Sequence, residues 1–192
     1  MNETIIHPQL LDPRRAYEVR RYHTHPHIRN QSVGEHSAQL WRILRAIWPT
    51  APAHVLDHAM THDIGEVAVG DVPYPTKKRN PVLAEMLDKM EQETHLMLCL
   101  PWNFPSPSKL TTEEYAIFKL AEYIEMWEYG LGELTLGNQG ARLIAERMHE
   151  QIINSAAPTS PIHIPDSIKN EAQRYVAQRC KYYEEMTRKP IP

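Results

Sequence analysis

The chain has 192 residues, with 21 Lys plus Arg against 24 Asp plus Glu and a formal charge of −3. That length suits a single domain over 1–192, and the charge balance excludes a polycationic surface for duplex nucleic acid. No run approaches the ~18 apolar residues of a membrane span, and Met1-Asn2-Glu3-Thr4 lacks the basic start of a signal peptide, so a soluble cytoplasmic protein is expected. Cys99 and Cys180 form no CxxC or finger pattern, which argues against a disulfide framework and a structural zinc finger. Only seven Gly suit a helical chain, and the eleven His are more than surface chemistry requires.

Apolar residues recur at helical spacing and no strict alternation is long enough for a sheet, so the expected fold is all-α with about six helices. The first helix is predicted over Ser32–Trp48, opened by the capping-box sequence Ser32-Val33-Gly34-Glu35 and ended by Pro49. Val33, His36, Leu40, Ile43 and Ile47 share its inward face, so a histidine lies in an apolar stripe. A second helix over Pro52–Ile64 delivers His62 and Asp63 at its C-terminus before Gly65. The stretch Gly65–Asn80, with Pro73, Pro75 and the run Lys77-Lys78-Arg79, is expected to be mostly loop. A helix over Asn80–Leu98 follows, then a proline-rich connection at Pro101–Pro107. Thr111-Thr112-Glu113-Glu114 opens a helix expected to stop near Tyr129, before Gly130 and Gly132, with Glu122 on its inward face. Helices over Asn138–Ser155 and Asp166–Met186 complete the chain. The metal-site core is thus expected over about 20–130 and the C-terminal helices over 137–187.

His36, the pair His62-Asp63 and Glu122 put ionisable groups on faces that should be buried, where each costs several kcal/mol unless it pairs with another or with a cation. Two imidazoles and two carboxylates form a mixed N/O set suited to a divalent transition metal: Zn, Mn, Co, Fe or Ni. Such a site lends itself to hydrolysis, because the metal lowers the pKa of bound water and polarises a phosphoryl oxygen. Glu66, just past the helix end, is placed to manage protons.

His36, then His62-Asp63, then an acidic residue on a later helix resembles the H…HD…D pattern of HD-domain phosphohydrolases. The blocks Arg21-Tyr22-His23, Gln31 to Ser37, His62 to Glu66, Gly70 to Lys77 and Lys119 to Glu122 are similar to the small HD enzymes that cleave deoxynucleotides. Those are the bacterial 5′-deoxynucleotidases and the phage dATP triphosphohydrolases. The resemblance covers Arg21 to Tyr129 and implies an HD-domain helical bundle. It implies His36, His62, Asp63 and Glu122 as metal ligands and Glu66 as the residue that orients or deprotonates water. It also implies Asp71 as support for that site or for a second divalent cation such as Mg. Arg21, Lys77 and Lys119 are implied against substrate phosphate, and Tyr22 against the deoxyribose and base, where the family usually has Trp.

The last ligand in the family is normally Asp, and no aspartate lies between Asp88 and Asp166, so Glu122 implies altered metal affinity or geometry. The expected activity is metal-dependent deoxynucleotide hydrolysis, favoured as dATP (dNTP) triphosphohydrolase, with the 5′-deoxynucleotidase reaction on monophosphates as the alternative. A non-catalytic nucleotide-binding HD module is the rival from another class. Leftover apolar residues at Leu143-Ile144 and Tyr175-Val176 lead to an expectation of homo-oligomerisation. The histidines of His23-Thr24-His25-Pro26-His27 lie in a proline-interrupted loop without fixed ligand geometry, and Cys99 is expected to be an inert buried thiol.

Overall fold

The structure is a computed structural model that describes residues 12–99, 110–157 and 163–188. The proline-rich connection at Pro101–Pro107 lies outside the described residues, as does the side chain of Cys99. The described residues fall into two compact units, one of 12–25, 30–38 and 57–99, the other of 26–29, 39–56, 110–157 and 163–188. They contain eight α-helices: α1 Pro13–Ala16, α2 Val33–Ile47, α3 Ala53–Thr61, α4 Tyr74–Arg79, α5 Pro81–Cys99, α6 Thr112–Thr135, α7 Arg142–Ala156 and α8 Asp166–Arg188. None of these helices is long and apolar enough to cross a membrane.

The expectation of no sheet needs one correction. Arg20–Arg21 (β1) and Gln31–Ser32 (β2) pair antiparallel, with Arg20 opposite Ser32 and Arg21 opposite Gln31. Two residues per strand are too few for alternation to register. The pair leads directly into α2, where Ser32 Oγ accepts from Glu35 N–H at 3.1 Å, so the predicted hydroxyl half of the cap is present. Val33, His36, Leu40, Ile43 and Ile47 are all buried, as their spacing required.

In the first unit, Ala16, Ile64 and Leu98 form a buried cluster flanked by Tyr17 and Val67. The stretch predicted as loop contains a 3-10 turn at Ile64–Val67 and the short helix α4. Pro75 sits in the first turn of α4, where its missing N–H costs nothing, and Lys77, Lys78 and Arg79 sit in its last turn, where the helix dipole favours cations. Prolines and charges that read as loop are therefore compatible with one short helix. Gly65 is there for a close approach: a Cβ at this position would lie 2.1 Å from the carbonyl oxygen of Glu91 on α5. That contact fixes α5 against the turn that carries Glu66.

In the second unit, α6 is the central element and packs against both α7 and α8. Its N-terminus has the complete capping box, Thr111 Oγ1 accepting from Glu114 N–H and the Glu114 carboxylate accepting from Thr111 N–H at 2.8 Å. The predicted stop at Tyr129 is wrong, and α6 runs on through Gly130 and Gly132 to Thr135. A Cβ at Gly130 would come within 3.0 Å of Ala145 N, so this glycine serves helix packing and not termination. The true stop is Gly137, with φ +97°, where Gly137 N–H reaches Leu134 O and Asn138 N–H reaches Glu133 O in a Schellman arrangement. Asn138 then caps a 3-10 turn at Gln139–Ala141, so α7 starts four residues later than expected.

Glu133, 1% exposed, holds the segment 26–29 to α6: its carboxylate accepts from Ile28 N–H at 2.7 Å, Arg29 N–H at 2.8 Å and the Asn138 amide at 2.7 Å. Burial pushes its carboxyl up, but these hydrogen bonds together outweigh burial and hold it below the usual carboxylate range. The stability it supplies is therefore present above the unfolded-state value of ~4.3 and is lost as pH falls through the lower folded-state value. Glu133→Gln is expected to cost about 1–3 kcal/mol at pH 7. The gap between wild type and variant should narrow on acidification in urea unfolding at stepped pH, and a gap that widens would contradict the assignment.

Candidate metal and phosphate site

Eight of the ten residues singled out in the sequence lie in the first unit and form one connected cluster. His36 comes from the first turns of α2, fully buried, and His62 and Asp63 follow the end of α3. Asp63 Oδ1 lies 3.2 Å from His62 Nε2, and Asp63 Oδ2 lies 3.7 Å from both His36 Nε2 and Arg21 Nη1. The two imidazole centroids are 5.4 Å apart. His62 Nδ1 faces Ala59 O at 3.1 Å, which requires the proton on Nδ1 and leaves a lone pair on Nε2 in the neutral ring. A lone pair directed at a carboxylate needs a positive charge or a proton between them. The donor set therefore fits a divalent transition metal, with the His62 tautomer fixed from behind by a backbone carbonyl.

Burial pushes the Asp63 carboxyl up, but His62, Arg21 and His36 outweigh it and hold the group well below the usual range, so it stays ionised. Glu66, buried in the 3-10 turn, behaves oppositely. Burial first, then Asp63 and Asp71, push its carboxyl up to about 9, a carboxyl that keeps a proton at neutral pH. Its Oε2 makes no hydrogen bond among the described residues.

Tyr22 sits at φ +57°, in the left-handed region, a conformation that costs a non-glycine residue about 1 kcal/mol or more. Its N–H donates to Asp71 Oδ2 at 3.2 Å, and the Arg21 guanidinium lies 5.6 Å from its ring centroid. Asp71, expected beside a cation, thus holds the backbone that presents Arg21 and Tyr22. Lys77 on α4 donates to Glu91 Oε1 on α5 at 3.0 Å.

Glu122 and Lys119 belong to the other unit, on α6, where they form an i, i+3 ion pair, and Lys119 Nζ lies 5.7 Å from the Tyr123 ring centroid. Burial pulls the Lys119 ammonium down and Glu122 more than restores it.

Three residues of the first unit were missed. His58 stacks on His62, with centroids 5.9 Å apart, and its position one turn before His62 could have signalled this. His95 is buried on α5, where burial and then His62 pull it down from its ordinary value, and Glu91 is the partner of Lys77. Neither α5 residue has a spacing that ties it to the site.

The YfbR-like 5′-deoxynucleotidase family model matches residues 14–170. A 5′-deoxynucleotidase of Vibrio atlanticus (strain LGP32) is 29% identical over 149 residues, covering 68% of this chain and 77% of that protein. A 5′-deoxynucleotidase of Vibrio vulnificus (strain YJ016) is 30% identical over the same coverage. The cyanophage S-2L HD phosphohydrolase DatZ, solved with dA and one catalytic Zn2+ ion, shares the fold with a TM-score of 0.66 at 17% identity, over 94% of this chain and 98% of that one.

Proposed function

The chain belongs to the YfbR-like 5′-deoxynucleotidase family of metal-dependent HD phosphohydrolases, and from that premise we propose that it hydrolyses 2′-deoxynucleoside 5′-monophosphates to deoxynucleoside and phosphate. The observation that carries the hydrolytic site is Asp63, ionised and faced at once by His36, His62 and Arg21. His36, His62 and Asp63 would hold the metal, with Glu122 as the fourth ligand that the sequence pattern assigns. A divalent transition metal bound there supplies water of lowered pKa and a polarised phosphoryl oxygen. Which of Zn, Mn, Co, Fe or Ni it is, and whether Mg joins it, is decided by reconstitution.

The remaining steps belong to side chains. Arg21, 12% exposed at its side chain and beside Asp63, binds the phosphate oxygens. Glu66, which holds its proton at neutral pH, gives it to the departing 5′-oxygen as the P–O bond breaks and then takes the proton that the attacking water releases, a cycle suited to a carboxyl whose proton affinity burial has raised. Tyr22, held in its strained conformation by Asp71, presents its ring to the deoxyribose, where a ribose 2′-hydroxyl is disfavoured.

A monophosphate suits the local charge better than a triphosphate does. Lys77, expected along a phosphate chain, already faces Glu91, so its charge is neutralised by a carboxylate. Chromatography of products from dAMP, AMP and dATP, each with Mn, Co or Zn, tests the proposal. Phosphate and deoxyadenosine from dAMP, with AMP spared, is the expected result. Release of triphosphate from dATP with dAMP untouched would move the chain to the triphosphohydrolase reaction, and silence on all three would leave a nucleotide-binding module.

A further inference from the structure

Glu91 lies outside the family pattern read from the sequence, yet it is locked to the reacting cluster. Its backbone carbonyl packs on Gly65 so closely that no Cβ could intervene, which fixes it beside the turn carrying Glu66. Its side chain is 21% exposed and that of Lys77 23%, with a charge-assisted hydrogen bond of 3.0 Å between them. Glu91 also lies within electrostatic reach of the site: its charge helps push Glu66 up, and Asp63 in turn adds to the rise that burial imposes on Glu91. For Lys77, burial pulls the ammonium down, and Glu91 and then Glu66 more than compensate.

From this geometry we infer that Glu91 sets the number of phosphates the site accepts, holding Lys77 in a neutral pair that tolerates one phosphoryl group and opposes a longer chain. The inference rests on the deoxynucleotide-hydrolase reading above. A monophosphate needs charge only where the metal ligands and Arg21 stand. Each further phosphoryl group adds negative charge to a neighbourhood that already contains the carboxylates of Asp63, Asp71 and Glu91. Lys77 cannot serve such a chain without giving up Glu91, and a half-buried carboxylate that loses its cation repels the chain directly. Glu91 is in these terms a specificity-determining residue, and its side chain need not touch the reacting atoms.

The test is calorimetric titration of the Mn2+-loaded protein with inorganic phosphate and with tripolyphosphate, Mn2+ being kept in excess over either anion, in wild type, Glu91→Gln and Glu91→Asp. Gln keeps an oxygen for Lys77 and removes only the charge; Asp keeps the charge. Glu91→Gln is expected to tighten tripolyphosphate relative to phosphate by about tenfold, a modest share of the Coulomb energy between close charges. Glu91→Asp should keep the wild-type ratio, and thermal melts confirm that each variant is folded. A ratio in Glu91→Gln within about twofold of wild type, an equal shift in Glu91→Asp, or no anion binding by any of the three proteins would each overturn the inference. Phosphate release from dAMP is followed in parallel, so failure of the monophosphatase reading appears as absent turnover while the anion ratio still decides the role of Glu91.

Discussion

Asp63→Ala is expected to lower phosphate release from dAMP by about 10³-fold or more, the rate equivalent of about 4 kcal/mol, which is the scale of Lewis-acid and electrostatic assistance a metal centre gives. Asp63 is the point at which His36, His62 and Arg21 converge, so one substitution removes a proposed metal ligand and also takes from Arg21, the proposed phosphate contact, the carboxylate beside it. The variant should still fold, since a buried carboxylate is costly to keep and its loss from a metal-free site removes that cost along with the pairing. Thermal melts separate the two effects. Wild type at a metal concentration 100-fold above Kd should gain about 2.7 kcal/mol, a rise of roughly 5–10 °C for a chain of this size. Asp63→Ala should gain little. An equal metal-induced rise in both proteins would remove Asp63 from the ligand set.

The second large effect is on stability and lies in the other unit. Glu128, 9% exposed on α6, accepts from Arg42 Nη2 of α2 at 2.9 Å, from Arg179 Nε of α8 at 2.6 Å and from Tyr175 OH of α8 at 2.7 Å. Tyr183 OH closes the arrangement by donating to Glu128 O at 3.2 Å. Burial first, and then Glu128, push the Tyr175 phenol above its ordinary value, so it remains a donor. Burial pulls the Arg179 guanidinium down and Glu128 more than restores it. Glu128→Ala takes the acceptor from the largely buried Arg179 guanidinium and from the Tyr175 phenol at once, while Arg42, 46% exposed at its side chain, keeps Gln39 and solvent. An expected loss of about 3–5 kcal/mol follows from leaving the two buried donors unsatisfied. That corresponds to a fall in melting temperature of roughly 6–20 °C. Glu128→Gln keeps an acceptor and should lose less. A fall of under about 2 °C in Glu128→Ala would show that solvent satisfies the stranded groups.

Much of this molecule is legible in its sequence. The apolar stripe of α2 placed His36 inside, the Thr111 cap placed the start of α6, and His62-Asp63 at a helix end placed the centre of the cluster. The errors have a common physical origin in tertiary contact. Gly130 alone reads as a stop because an isolated helix would fray there, whereas α7 packs against it and the helix continues to the left-handed Gly137. The run Lys77-Lys78-Arg79 reads as loop because a six-residue helix has too few turns to reveal a period. The same limit hid the two-residue strands on which Arg21 is carried. The family pattern marks Asp71 as a candidate site residue, but its hold on the Tyr22 amide depends on a left-handed backbone that no spacing announces. Glu91 was invisible because its partner lies on a separate helix, 14 positions earlier.

The most direct test of the central claim is phosphate release from dAMP by protein stripped with EDTA, before and after a single divalent transition metal is returned. The account predicts no release from the stripped protein, recovery with at least one of Zn, Mn, Co, Fe or Ni, and little release from AMP under the same conditions. Undiminished hydrolysis by the stripped protein, or no release from dAMP with any of these metals, would contradict it.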